Sequence, residues 1–290
     1  MDGTVINGAP NLNGGAEIVA DEITGWAGSA APRTSRPPRP ARSGTYRSPT
    51  YRDARVITLA GWLWAPTPAL RLAAEHRVAA LCSAPDTLYP LRHNDVRSGE
   101  DLVATVELDG PVMVTTRTDH HAVWSVQLAA PDPLKYAPEP LITSTRLPID
   151  GTGINWSTQG KGVDWTGGGR GGIDWGTTTS TGTAVLRNPG TAPSWPHFTI
   201  TGPVNTPEIT DTATGRTLRY SGTLTAGETL TIDTHPHRRT VRLDGTWVRP
   251  RLVSAEWFPL PPASRRSVSF RAARISREAL LSIVIFSAYN

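Results

Sequence analysis

Cysteine occurs once, at Cys82, in a chain of 290 residues. A lone thiol excludes an internal disulfide framework, and the sequence around Cys82 makes it a small core residue of a helix. Lysine occurs only at Lys135 and Lys161, so arginine supplies nearly all of the 29 basic residues, a bias that GC-rich coding favours. Charge is sparse at 19%, and the net value is only +4. A nucleic-acid binder concentrates its basic residues on one face. The one cluster is Arg33, Arg36, Arg39, Arg42 and Arg47, threaded through Pro32, Pro37, Pro38 and Pro40. Its simplest reading is a solvated extended linker; the competing reading is an ordered arm gripping a neighbouring subunit. Long apolar runs are missing too. The longest, Ala279–Phe286, is interrupted by Ser282 and is far too short to cross a bilayer. The opening MDGTVINGAP has no basic-then-apolar signal pattern, so a protein folded and used in the cytoplasm, or one that leaves by a route other than secretion, is expected.

The signatures of catalysis are equally scarce. No H-E-x-x-H, paired C-x-x-C, G-x-S-x-G or G-x-x-x-x-G-K-[ST] motif occurs. Of the seven histidines, His235 and His237 share one side of an extended segment, His120 and His121 open a strand, and His76 lies on a helix. None has the further ligands a metal requires. Asp86, Asp95, Asp101 and Asp109 fall in turns, where aspartate bonds its own backbone. The residues therefore give no catalytic group, no metal and no cofactor.

Gly 27 and Pro 26 are plentiful and gather between short alternating segments, the pattern of an all-β protein. One helix is expected at 68–82, capped by Thr67 with Pro68 in its first turn. Leu70, Ala73, Ala74, Val78 and Leu81 form its apolar stripe, and Arg71 and Glu75 pair on the opposite side. ARVITLAGWLW and HAVWSVQLAA read as strands. DLVATVELDGPVMVTTRT reads as a hairpin turning at Asp109-Gly110. Four prolines in PDPLKYAPEP mark a boundary, giving domains 1–136 and 137–290. Beyond it, TAVLRNPG, HFTITG, TLRYSG, ETLTIDT, RTVRLDGTWV, LVSAEWFPL, SVSFRA and ALLSIVIF space themselves as the strands of a sandwich.

Between these strands lies a threefold repeat: Gly153-Ile154-Asn155-Trp156, Gly162-Val163-Asp164-Trp165 and Gly172-Ile173-Asp174-Trp175. It fails the register of a calcium-binding β-roll, since Thr166 stands where a large aliphatic belongs and the third aspartate is out of phase. As strand fragments, each copy puts an apolar residue and its tryptophan on one face. Ordering the ten glycines of 151–176 costs about 5–10 kcal/mol, and each buried tryptophan offsets about 4–6 kcal/mol. Order here requires that the tryptophans find cover, on their own domain or on another chain.

Several stretches resemble one family in content and in order. They are ITGWAGSAAPRT, YRDARVITLAGW, RLAAEHRVAALC, DTLYPLR and SVQLAAPDP in the first half. In the second they are the GINW/GVDW/GIDWG repeat, NPGTAPSWPHFTITGPVNTPEI, TLRYSGTLTAGETLTIDT, RTVRLDGTW and the closing FSAYN. The chain resembles, over nearly its whole length, the distal tail proteins of long, non-contractile-tailed bacteriophages, also called minor tail proteins. The resemblance implies an N-terminal β-sandwich with one helix that closes into a ring, usually hexameric, and a C-terminal galectin-like β-sandwich. It implies a non-enzymatic virion protein at the distal end of the tail, assembled in the host cytoplasm. Its partners would be itself, the tail tube protein, the tape-measure protein and the tail hub, with no specific nucleic-acid binding and no membrane insertion. The arm at 30–47, with Arg33, Arg36, Arg39 and Arg42, and the insertion at 151–176, with Trp156, Trp165 and Trp175, would then be assembly interfaces. One departure stands out: Asn188-Pro189 is present without the H-x-N-P-R strand of galectins, so the fold would not by itself bring galactose binding. Trp195 and Trp247 could stack on sugar, but burial in the core is the favoured reading. Two other functions stay open, a module recognising host-surface glycan and a polysaccharide hydrolase.

Overall fold

A computed structural model describes residues 3–149, 180–274 and 276–290. The chain divides into two units, Met1–Pro138 with Tyr289–Asn290, and Glu139–Ala288. The division falls after Pro138, and the last two residues belong to the first unit, whereas the sequence placed them in the second.

The first unit is built from β1 (Glu17–Thr24), a two-stranded ribbon of β2 (Pro32–Arg33) and β3 (Tyr51–Arg52), then β4 (Arg55–Trp64), α1 (Pro68–Ala79), β5 (Tyr89–Asp95), β6 (Glu100–Leu108), β7 (Met113–Thr116), β8 (His121–Ala130) and β9 (Lys135–Tyr136). In β4 every second residue, Ile57, Leu59 and then Leu63, is buried, the period that seats one strand face on a core. β1 lies antiparallel to β4 with a bulge at Ala20/Glu22. Beside it Gly61 is obligatory, because a Cβ there would sit 2.0 Å from the Val19 carbonyl oxygen.

β8 organises the sheet. One side of it pairs with β4 along its full length. The other side takes β7 against Ala122–Ser125 and then Glu107 and Leu108 of β6 against Ala129 and Leu128. β6 runs on to pair with β5 and, at Val103, with β9. The sheet thus curls over a single core holding Ile18, Leu63, Ala104, Val106, Trp124 and Leu128. The expected hairpin between β6 and β7 does not form. Asp109 donates its N–H to the Gln127 carbonyl of β8 at 2.9 Å and accepts from the Gln127 amide at 3.0 Å. The turn therefore hands the chain from one part of β8 to another.

The helix is shorter than its pattern predicts. Thr67 Oγ1 accepts from the Leu70 N–H at 3.3 Å, and Pro68 occupies the first turn. At the far end Ala80 leaves helical geometry. Leu81 and Cys82 are buried but lie past the helix, Cys82 with a left-handed φ of 53°. Ala73 is exposed; the buried stripe is Ala74, Glu75 and Val78. The Arg71–Glu75 pair faces inward rather than outward. Thr116 Oγ1 donates to Glu75 at 2.8 Å, Arg71 donates to Thr116 at 3.0 Å and to the Asp119 carbonyl at 3.1 Å. The pair fastens α1 to β7 because the helix is short of apolar residues there.

The second unit has two antiparallel sheets. The first orders β10 (Leu141–Arg146), β22 (Leu280–Ile285), β12 (His197–Thr201), β17 (Thr229–Asp233), β18 (Val241–Leu243) and β19 (Thr246–Trp247); the other orders β11 (Thr183–Asn188), β21 (Ser264–Arg271), β14 (Glu208–Asp211), β15 (Thr217–Tyr220) and β20 (Leu252–Ala255). A small ribbon joins β13 (Val204–Asn205) to β16 (Thr223–Leu224). The inward residues of both sheets, Phe198, Ile200, Leu230, Ile232, Leu281 and Ile283 from one and Leu186, Ile209, Leu218, Val268 and Phe270 from the other, make one core. That is a sandwich. Asn188 explains the segment NPGTAPSWP after β11. Wholly buried, its amide donates to the carbonyls of Ala192, Leu260 and Pro261 at 2.8–3.2 Å and its oxygen accepts from the Gly190 N–H at 3.0 Å. A final short strand, β23 (Ala288–Tyr289), takes its place at the edge of the first unit's sheet beside β9.

Candidate assembly interface

The arginine-rich arm is a hairpin, not an extended linker. At its base Pro32 pairs with Arg52 and Arg33 with Tyr51, and the Asp53 N–H reaches the Ala31 carbonyl at 2.8 Å. Further out Pro38 bridges Thr45, Tyr46 donates to the Pro37 carbonyl at 3.0 Å, and Arg39 to that of Gly44 at 3.1 Å. Gly44, at φ 97°, closes the tip. The prolines sit where no donor is needed. Nearly every residue from Ala31 to Ala54 except half-buried Thr34 and Ser48 is exposed. Arg33 makes a long ion pair of 4.0 Å with Asp53, and Arg39 lies 5.6 Å above the Tyr46 ring. Arg36 and Arg42 stand in solvent. The hairpin thus presents Arg33, Arg36, Arg39, Arg42, Arg47 and Arg52 against one acid, Asp53. On the same unit the end of β1 carries exposed Asp21 and Glu22.

The root of the hairpin is fixed by a residue that sequence reasoning missed. Arg55, 1% exposed, donates from Nη1 to the carbonyls of Gly25, Trp26 and Gly28 at 2.6–3.1 Å and from Nε to that of Pro133 at 2.9 Å. Lys135, also buried, donates to the Trp26 carbonyl at 2.9 Å and lies 5.3 Å from the indole centroid. The Trp26 indole N–H closes the cluster on Glu100 at 3.1 Å. Burial lowers the pKa of both cations, with Arg52 adding to the shift at Arg55 and Arg55 adding to that at Lys135, where Glu100 opposes it. Four carbonyls of two loops are thereby tied to one strand end. No pattern in ARVITLAGW announces this; only the single arginine at the head of an apolar run hints at it.

Trp156, Trp165 and Trp175 lie outside the described residues. Trp195 is half-buried, while Trp247 is exposed rather than in the core, because β19 is the last strand of its sheet. The turn carboxylates are engaged locally. Asp95 accepts from Ser98 and from the Arg97 N–H, and Asp101 faces Arg92; these bonds lower both pKa values, the reverse of what a general acid needs. Among the described residues no group of three or more His, Cys, Asp or Glu is placed to hold a metal ion. Among the described residues no helix is long and apolar enough to cross a membrane.

Residues 189–274 match the family described as siphovirus-type tail component, C-terminal domain. The crystal structure of Dit from phage SPP1, titled "a paradigm of hub adsorption apparatus in Gram-positive infecting phages", superposes with a TM-score of 0.63 at 13% identity, covering 93% of each chain. Residues 189–274 thus carry the pattern of a siphovirus-type tail component domain, and the chain as a whole has the fold of the SPP1 Dit protein. Two baseplate structures of phage P2, in the conformation activated with Ca and with Sr, align at TM-score 0.46 and 11% and 10% identity, over 91% of this chain and 93% of theirs. No curated protein matches. Among the described residues the architecture is mainly β with a single α-helix.

Proposed function

We propose that this tail component closes into a homo-hexameric ring at the distal end of the tail, joining the tail tube to the central hub and surrounding the channel that holds the tape-measure protein. The carrying observation is the exposed basic hairpin of the first unit, held in shape by its own backbone bonds. Such an element has no core of its own to serve, and an arm of that kind is expected to grip a neighbour. The acidic end of β1 on the same unit gives it a target of opposite sign. One chain bearing both halves of a contact makes a heterologous interface, which closes into a ring when the rotation allows. The full-length likeness to the SPP1 protein supports the same reading through its fold. Arg33, Arg36, Arg39 and Arg42 are assigned to the subunit contact, and Trp156, Trp165 and Trp175 to a surface covered by a neighbour or a hub protein. Assembly takes place in the host cytoplasm and needs no cofactor.

Light scattering of the purified protein tests this, with electron images of the main peak. A ring of six times 31.2 kDa is the expected species. A monomer that stays monomeric when tail tube and hub proteins are added would overturn the reading.

A further inference from the structure

The outer face of the six-stranded sheet carries one continuous row, a residue from each strand. Ser144 opposes Ser282, Ser282 opposes Thr199, Thr199 opposes Thr231, Thr231 opposes Arg242, and Arg242 opposes Trp247. Their neighbours along the strands, Phe198, Ile200, Leu230, Ile232, Leu281 and Ile283, are buried in the core, so the row faces solvent. At strand spacing it is about 24 Å long. Its middle is short hydroxyl side chains, each able to donate and accept. One end is Trp247, 61% exposed.

In the sequence that flanks that end the charge is one-sided. Arg239 and Arg249 both lie over the half-buried Trp257 ring, at 5.8 and 5.0 Å from its centroid. Arg239 reaches it from a left-handed backbone, φ 42°, a conformation that non-glycine residues hold only when the surroundings impose it. From Thr234 to Arg251 the chain has Arg238, Arg239, Arg242, Arg249 and Arg251 against the single acid Asp244. Asp244 is committed to the Thr229 N–H at 2.9 Å. Of these five arginines only Arg238 has an ion pair among the described residues, with Asp233 at 2.8 Å. Two guanidinium groups held on one indole without a counter-charge repel each other, and an arriving anion relieves that.

We propose that this face binds a polysaccharide with negative charge on its repeat unit. A sugar ring lies on Trp247, its acidic groups meet Arg242, Arg239 and Arg249, and its hydroxyls exchange hydrogen bonds with Thr231, Thr199 and Ser282. The charge of the site selects an anion. The hydroxyl row selects a ligand rich in hydroxyls over a nucleic acid, which would call for cations along a groove and several stacking aromatics. It also lacks the large apolar anchors of a protein interface.

Native gels cast with alginate, hyaluronate or chondroitin sulfate, and with neutral dextran, test this on the full chain. At least one anionic gel should retard the protein relative to dextran, less so as salt rises. Trp247→Ala and Arg242→Glu should each remove most of the retardation, while Arg265→Ala, on the other sheet, leaves it. Both site residues are exposed, and an unfolding curve confirms that each variant is folded. Equal migration in anionic and neutral gels overturns the proposal. So does retention of binding by both site variants, or equally tight binding of a single-stranded oligonucleotide measured by anisotropy. The mass of each variant in the same buffer separates loss of binding from loss of ring assembly.

Discussion

Arg55 is a core residue by burial and a clasp by bonding. Its guanidinium holds the carbonyls of Gly25, Trp26, Gly28 and Pro133, and each carbonyl left without a partner in a buried place costs about 1–3 kcal/mol. Arg55→Ala is expected to lower stability by about 3 kcal/mol or more in urea unfolding. Arg55→Lys should restore little, since one ammonium cannot span what a planar fork spans; a loss under about 1 kcal/mol for Arg55→Ala would refute the clasp. His197 in the second unit carries a different expectation. Burial lowers its pKa, an effect that Asp233 opposes and Arg238 reinforces. Folding then favours the neutral ring. Stability is full above the unfolded value near 6.5 and falls as pH drops from there towards the lowered folded value. His197→Gln should flatten that part of a melting-temperature profile just below about pH 6.5. Neither role was legible in the sequence, because a buried arginine and a half-buried histidine look like any others until the strands around them are placed.

At the scale of elements the sequence spoke more clearly. Thr67 and Pro68 fixed the start of α1 because a cap and a first-turn proline are local chemistry. Its end was misread because Leu81 and Cys82 continue the apolar period without continuing the helix. The turn at Asp109-Gly110 was legible, yet its strands pair with β8 instead of each other; local residues specify that a chain turns, and the remainder of the core decides what it turns towards. The arm was legible only as a choice between linker and grip, and the cross-strand bonds between Pro32–Arg33 and Tyr51–Arg52 show that it is ordered. Since it packs on no core, replacing residues 34–47 by a short turn is expected to leave the urea midpoint unchanged and to shift the mass distribution from ring to monomer. A variant that still closes rings would remove the arm from the subunit contact.

At the scale of the molecule, the alternating strands of the second half revealed a sandwich, since a period of two needs only local reading. The pairing of Ser144 through Trp247 into one row was not legible: it depends on six strands that are far apart in the chain meeting in register. Nor did FSAYN at the end of the chain show where it goes. The structure gives Tyr289–Asn290 to the first unit. The second unit is therefore spliced into the first, with a stretch of chain leaving and another coming back. During synthesis the ribosome must finish all of Glu139–Ala288 before the strand that borders β9 can be delivered. Until then the first unit's sheet offers an open border beside β9.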